Sequence, residues 1–122
     1  MATILIVDDD DAIRGTLYDL LSANYECHTA STAEQALQYL DVEQYAAVLT
    51  DISMSGLDGL QLLKRVRLRD LETPVILISG KGSEEDGGHL IALGAFAYIT
   101  KPFKLEAIEE IVERAVGTKR AQ

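Results

Sequence analysis

Short aliphatic runs recur along this chain, and a segment with helical spacing follows each of them. The runs are Ile4–Val7, Ala46–Leu49, Val75–Ile78 and Ala95–Ile99, with a weaker one at Tyr25–Ala30. Each is short enough to be a strand. Apolar stripes at helical spacing lie between them: Ile13, Leu17, Leu20 and Leu21; Leu60, Leu63 and Val66; Leu105, Ile108, Ile111, Val112 and Ala115. Ala33, Ala36, Leu37 and Leu40 predict a further short helix, with Ser31 and Glu34 spaced as a capping box. Asp58 and Gln61 offer a similar start, and Gly94, which follows Leu90, Ile91 and Leu93 of a fourth helical segment, reads as a helix stop. The order is strand–helix five times, with short connections. Such alternation implies a parallel sheet covered on both faces, wound by right-handed crossovers into one α/β domain. Residues 1–117 read as that domain and residues 118–122 as a tail or the start of a linker.

Open parallel sheets bind ligands beyond the carboxyl ends of their strands. The polar residues that follow each run are therefore the candidates. Asp8 and Asp9 follow the first, Thr50 and Asp51 the third, Ser79 the fourth, and Thr100, Lys101 and Pro102 the fifth. Three carboxylates, hydroxyls and one lysine are thus expected at one edge of the sheet. Crowded carboxylates repel, but a hard cation such as Mg²⁺ makes the crowding useful, and Mg²⁺ favours a few carboxylates plus phosphate oxygens. Asp10 and Asp11, which extend the acidic run, read as the acidic start of a helix.

Charge narrows the partners. Eleven basic residues against 20 acidic ones give a net charge of −9. That argues against a nucleic-acid surface, which needs Lys and Arg to neutralise phosphates, and against an anionic membrane. The single Cys27 cannot form an internal disulfide, the N-terminus lacks the pattern of a signal peptide, and no aliphatic run is long enough to span a bilayer. A cytoplasmic protein is the expectation. His28 and His89 are isolated and read as structural or surface residues.

Four stretches in this order resemble the response-regulator receiver family: "ILIVDDD", "VLTDISMSGLDG", "PVILISG" and "GAFAYITKPF". The resemblance covers essentially the whole chain. It implies a flavodoxin-like (βα)5 fold with a five-stranded parallel sheet of order 2-1-3-4-5. It also implies a bacterial two-component phosphoacceptor that takes a phosphoryl group from a sensor histidine kinase or phosphotransfer domain, rather than an enzyme. By that resemblance Asp51 is the acceptor. Asp9 and Asp51 hold Mg²⁺ by side chain, Asp8 through water and Ser53 by its backbone carbonyl, and Lys101 contacts the acceptor and the phosphoryl oxygens. Ser79 is the switch hydroxyl and Tyr98 the switch aromatic. Ser53 and Lys81 occupy positions that tune dephosphorylation. Output passes through the surface of the fourth helix, fifth strand and fifth helix to an effector protein or fused domain, from a monomer or a phosphorylation-promoted homodimer. Ser55 departs from the family pattern, in which a proline is common, and Gly87 and Gly88 weaken the predicted fourth helix. Two rival readings are a phosphorylation-independent pseudo-receiver and an aspartate-nucleophile phosphatase of the haloacid-dehalogenase type. The second needs an acid two residues after the nucleophile, where Ser53 stands.

Overall fold

Ile4, Leu5, Ile6 and Val7 are consecutive and all buried, as a strand covered on both faces requires. The structure, a computed structural model, describes residues 1–54, 56–70, 72–80 and 87–120. Its elements are β1 (Thr3–Val7), α1 (Asp11–Leu21), β2 (Glu26–Ala30), α2 (Ala33–Val42), β3 (Ala47–Asp51), α3 (Gly59–Arg69), β4 (Val75–Ser79), α4 (Gly87–Ala92), β5 (Ala97–Thr100) and α5 (Leu105–Arg120). Every strand pairing is parallel, and the order is β2-β1-β3-β4-β5. This is the flavodoxin-like doubly wound sheet that the alternation and the resemblance imply.

Strand residues alternate between two cores. Leu5, Val7, Val48, Val75 and Leu77 pack with α2, α3 and Leu90 of α4. Ile4, Ile6, Leu49, Ile76 and Ile78 pack with Leu17 and Leu21 of α1 and with Ile108, Val112, Ala115 and Val116 of α5. Leu62, absent from the predicted stripe of α3, is fully buried, whereas Leu105 of the predicted α5 stripe is exposed.

The helix starts follow local chemistry. Asp10 caps α1 by accepting from the N–H groups of Ala12 and Ile13. Asp58 and Gln61 form the predicted reciprocal capping box of α3. At α2 the cap is Thr32, which accepts from the Gln35 N–H, while the Gln35 amide oxygen accepts from the Ser31 N–H. The cap thus lies one residue beyond the predicted Ser31–Glu34 pair, because either hydroxyl satisfies the local pattern and docking of the helix selects between them. Gly94 ends the segment after α4 with a φ of +105°, a conformation that side chains disfavour. At the C-terminus, the helical backbone of α5 runs on to Arg120, into the segment from residue 118 read as a tail or linker start. Among the described residues no helix is long and apolar enough to cross a membrane.

Arg67 of α3 ties the loop after α3 to the loop after α4. Its guanidinium donates to the carbonyl oxygens of Gly94 (3.0 Å), Asp70 (2.9 Å) and Thr73 (2.6 Å). Partial burial favours its neutral form, opposed by the neighbouring Asp70 charge. Arg67→Met keeps the apolar stem but removes three charge-assisted donors. It is expected to lower stability by about 2–3 kcal/mol, read as a fall in urea midpoint at unchanged slope. An unchanged midpoint would show that water replaces the guanidinium without loss.

Candidate functional site

The sheet's hydrogen bonding carries the strands beyond their apolar runs. Asp51 pairs with Ile78 and Ser79 with Thr100, so both functional candidates are strand residues rather than loop residues. Asp51 is therefore only 4% exposed and Ser79 only 5%, although both are polar. Thr50, also buried, donates its hydroxyl to the Asp51 carbonyl oxygen at 3.1 Å.

Asp8, immediately after β1, is completely buried. Its N–H donates to the Ala30 carbonyl, which ties it to the end of β2. Its Oδ1 accepts from the Asp10 N–H at 2.9 Å. Its Oδ2 is buried without a hydrogen-bond partner among the described residues. Burial pushes the Asp8 carboxyl above its ordinary pKa. The charges of Asp51 and Asp9 push the same way, while the Asp10 N–H and Lys101 oppose them.

Carboxylate oxygens of Asp8, Asp9 and Asp51 all lie within 4.8 Å of one another. Three convergent acids, one with an orphaned buried oxygen, fit a hard divalent cation such as Mg²⁺: the ion supplies the charge and the ligation that the protein withholds. Asp51 also has its own partners. Lys101 Nζ lies 3.3 Å from Oδ2, and the Ser53 N–H donates to Oδ1 at 3.3 Å. Lys101 is held by its own N–H, which donates to the Ser79 carbonyl at 2.8 Å. The Lys101–Pro102 peptide is cis. Asp8, Asp9, Asp51, Ser79 and Lys101 are thus brought to one edge of the sheet, as predicted.

A sequence profile described as the response regulator receiver domain matches residues 4–113. The chain belongs to this family. Its receiver domain is 37% identical over 114 residues to the response regulator protein FleR of Pseudomonas aeruginosa, covering 93% of this chain and 24% of that protein. It is 39% identical over 111 residues to the nisin biosynthesis regulatory protein NisR of Lactococcus lactis, covering 90% and 48%. The chain thus spans half or less of the length of these relatives. A receiver domain protein from Clostridium thermocellum superposes with a TM-score of 0.92 at 26% identity, over 99% of this chain and 98% of that one. The receiver domain of NtrX from Brucella abortus gives 0.88 at 38% identity, over 94% and 98%.

The remaining expectations concern the rim of this receiver domain. Ser53 is exposed one residue beyond the buried Ile52, with its N–H turned to Asp51. Tyr98, which pairs with Leu77 in β5, is 44% exposed, so its ring is not a core residue in this conformation. Lys81 and Ser55 lie outside the described residues. Two residues beside the site had no role assigned from the sequence. Gly59, the last residue of the "VLTDISMSGLDG" stretch, has no positive φ; it lies against the Asp51 backbone. Arg14 donates to the Asp8 carbonyl oxygen at 2.7 Å. An arginine six residues after an acid, on a helix that starts between them, was the only available hint. A surface cavity of about 360 Å³, lined by Leu40, Tyr45, Val66 and Arg69 among others, lies at the opposite edge of the sheet and takes no part in this site.

Proposed function

We propose that this receiver domain accepts a phosphoryl group on Asp51 from a sensor histidine kinase or phosphotransfer domain, with Mg²⁺ held by Asp8, Asp9 and Asp51, and relays that state to an effector. The observation that carries the reading is the Asp51 carboxylate, nearly buried, with Lys101 Nζ 3.3 Å from one oxygen and two further carboxylates beside it. A carboxylate is a competent nucleophile toward phosphorus. An Asp51 oxygen forms the new O–P bond as the bond to the donor breaks, and the leaving group departs with the electron pair. Such transfers depend on positioning and on neutralising the phosphoryl oxygens rather than on acid–base work. Lys101 supplies a cation on the acceptor side, and Ser79 supplies a hydroxyl on the neighbouring strand. Bound Mg²⁺ would supply the remaining neutralisation of charge. The Ser53 backbone carbonyl completes the proposed ligand set.

The domain acts as a phosphoacceptor that switches, not as a turnover enzyme. Ser79 moves toward the phosphoryl group, and the exposed Tyr98 ring turns inward beside α4. The face made by α4, β5 and α5 changes shape, as a population shift set by the differential interaction of the phosphoryl group with the two states. Gly87 and Gly88 at the start of α4 make that helix easy to displace.

The test is incubation with acetyl phosphate and Mg²⁺, followed by intact-mass spectrometry. Wild type is expected to gain one phosphoryl group, and Asp51→Asn to gain none. Equal labelling of the two would move the acceptor elsewhere. No labelling of wild type by acetyl phosphate or by phosphorylated kinase would favour a pseudo-receiver.

A further inference from the structure

Asp9 is the exposed member of the acidic cluster, so burial does not orient it. Its direction is set by the two peptides that flank it. On the C-terminal side, the N–H of the Asp9–Asp10 peptide donates to Asp8 Oδ1 at 2.9 Å. On the N-terminal side, the carbonyl of the Asp8–Asp9 peptide accepts from Arg14 Nη1 at 2.7 Å. Arg14 is well placed to hold still. Its own N–H donates to the Asp10 carbonyl in the first turn of α1. Its Nη2 pairs with Asp11 Oδ1, and its side chain is only 21% exposed.

We propose that Arg14 is a positioning residue of the acidic site: by gripping the Asp8 carbonyl from α1, it fixes the Asp8–Asp9 peptide and aims the Asp9 carboxylate at Asp8 and Asp51. The proposal rests on the reading of that cluster as a Mg²⁺ site. Residues that orient metal ligands typically govern affinity strongly without touching the ion. Asp11 has a part in the same device, because its carboxylate offsets the guanidinium charge and fixes the second arm of the fork.

Charge and geometry predict opposite signs for the loss of Arg14, which makes the proposal decidable. A guanidinium near three carboxylates repels a second cation, so its removal, acting through charge alone, tightens Mg²⁺ binding. Removal of a positioning contact weakens it. Calorimetric and amide-NMR titrations with Mg²⁺ alone, on wild type, Arg14→Ala and Arg14→Lys, read the difference. Arg14→Ala is expected to bind about tenfold more weakly, with shifted Asp9 and Asp10 amides already in the metal-free protein. Arg14→Lys is expected to recover part of the affinity, since an ammonium can still donate to the Asp8 carbonyl without spanning to Asp11. Urea midpoints check that each variant is folded, and the lysine variant carries the test if the alanine one is not. Wild-type-like or tighter binding by a folded Arg14→Ala would overturn the positioning role. A wild type that itself fails to bind Mg²⁺ would overturn the cation site, and this proposal with it.

Discussion

Gly59→Ala is expected to destabilise the domain by about 3 kcal/mol or more, and to impair phosphorylation in whatever fraction still folds. Gly59 is buried at the first position of α3, and its N–H donates to the Ile52 carbonyl at 2.9 Å. A Cβ built there would lie 2.3 Å from the Asp51 carbonyl oxygen, 2.8 Å from Ile52 Cα and 2.9 Å from the Asp51 carbonyl carbon. All three are backbone atoms, so no flexible side chain can yield. The strain must be relieved by moving α3 away from the sheet or by moving Asp51 itself. The first opens the core at Leu62, Leu63 and Val66. The second turns the Asp51 carboxylate, the proposed acceptor, away from Lys101 and the other acids. Thermal and urea unfolding measure the first effect, and the acetyl phosphate reaction rate measures the second. A Gly59→Ala protein with wild-type stability and rate would show that the α3–β3 contact is looser than it stands here.

The second large effect concerns Asp8→Asn, which should stabilise the metal-free protein by about 1–2 kcal/mol near neutral pH. Asp8 is buried with one oxygen unpartnered, and burial, with the charges of Asp51 and Asp9, holds its carboxyl above the ordinary value. A raised carboxyl pKa means that the folded chain keeps a proton which the unfolded chain has already released. The stabilising contribution is complete below the ordinary carboxylate pKa, where both states are protonated. It is lost as pH rises through the raised folded-state value. Asparagine has no such window. Urea midpoints of the two proteins should therefore diverge as pH rises from the acid side of the carboxylate range to neutrality, with the asparagine variant the more stable. Mg²⁺ is expected to reverse the ranking: a ligand that binds only the folded state stabilises according to its concentration over its dissociation constant. With the proposed Mg²⁺ site, wild type is expected to gain from Mg²⁺ and Asp8→Asn to gain much less. Parallel pH profiles for the two proteins would remove Asp8 as the source of the penalty.

Much of this was legible in the residues. Buried parallel strands must be apolar on both faces, so Ile4–Val7 and Val75–Ile78 announce themselves without alignment. Asp8, Asp9, Asp51, Ser79 and Lys101 stand out as candidates because the fold class dictates where a ligand edge lies. Extent was less legible. Thr50, Asp51, Ser79 and Thr100 are polar, so the apolar pattern stops before them, while the pairing with neighbouring strands continues. Thr32 rather than Ser31 caps α2 for a similar reason: two adjacent hydroxyls look alike until the helix is docked.

What the sequence determined by itself is the alternation of strand and helix, the doubly wound sheet, and the identity of the acids and the lysine at its carboxyl edge. Those follow from periodicity and from the handedness of crossovers, which are properties of the chain alone. What only the tertiary structure decided is which atom each polar or small residue meets, whether the partner is near or far in the chain. Arg67 reaches Gly94, and Arg14 reaches back over the turn to the Asp8 carbonyl. Gly59 leaves no room for a Cβ against Asp51, and Asp8 keeps an oxygen that the described residues leave unpaired. Each depends on distances that no local pattern encodes, because an arginine, a glycine or an aspartate has the same sequence signature whether its partner is a carbonyl, a backbone or water.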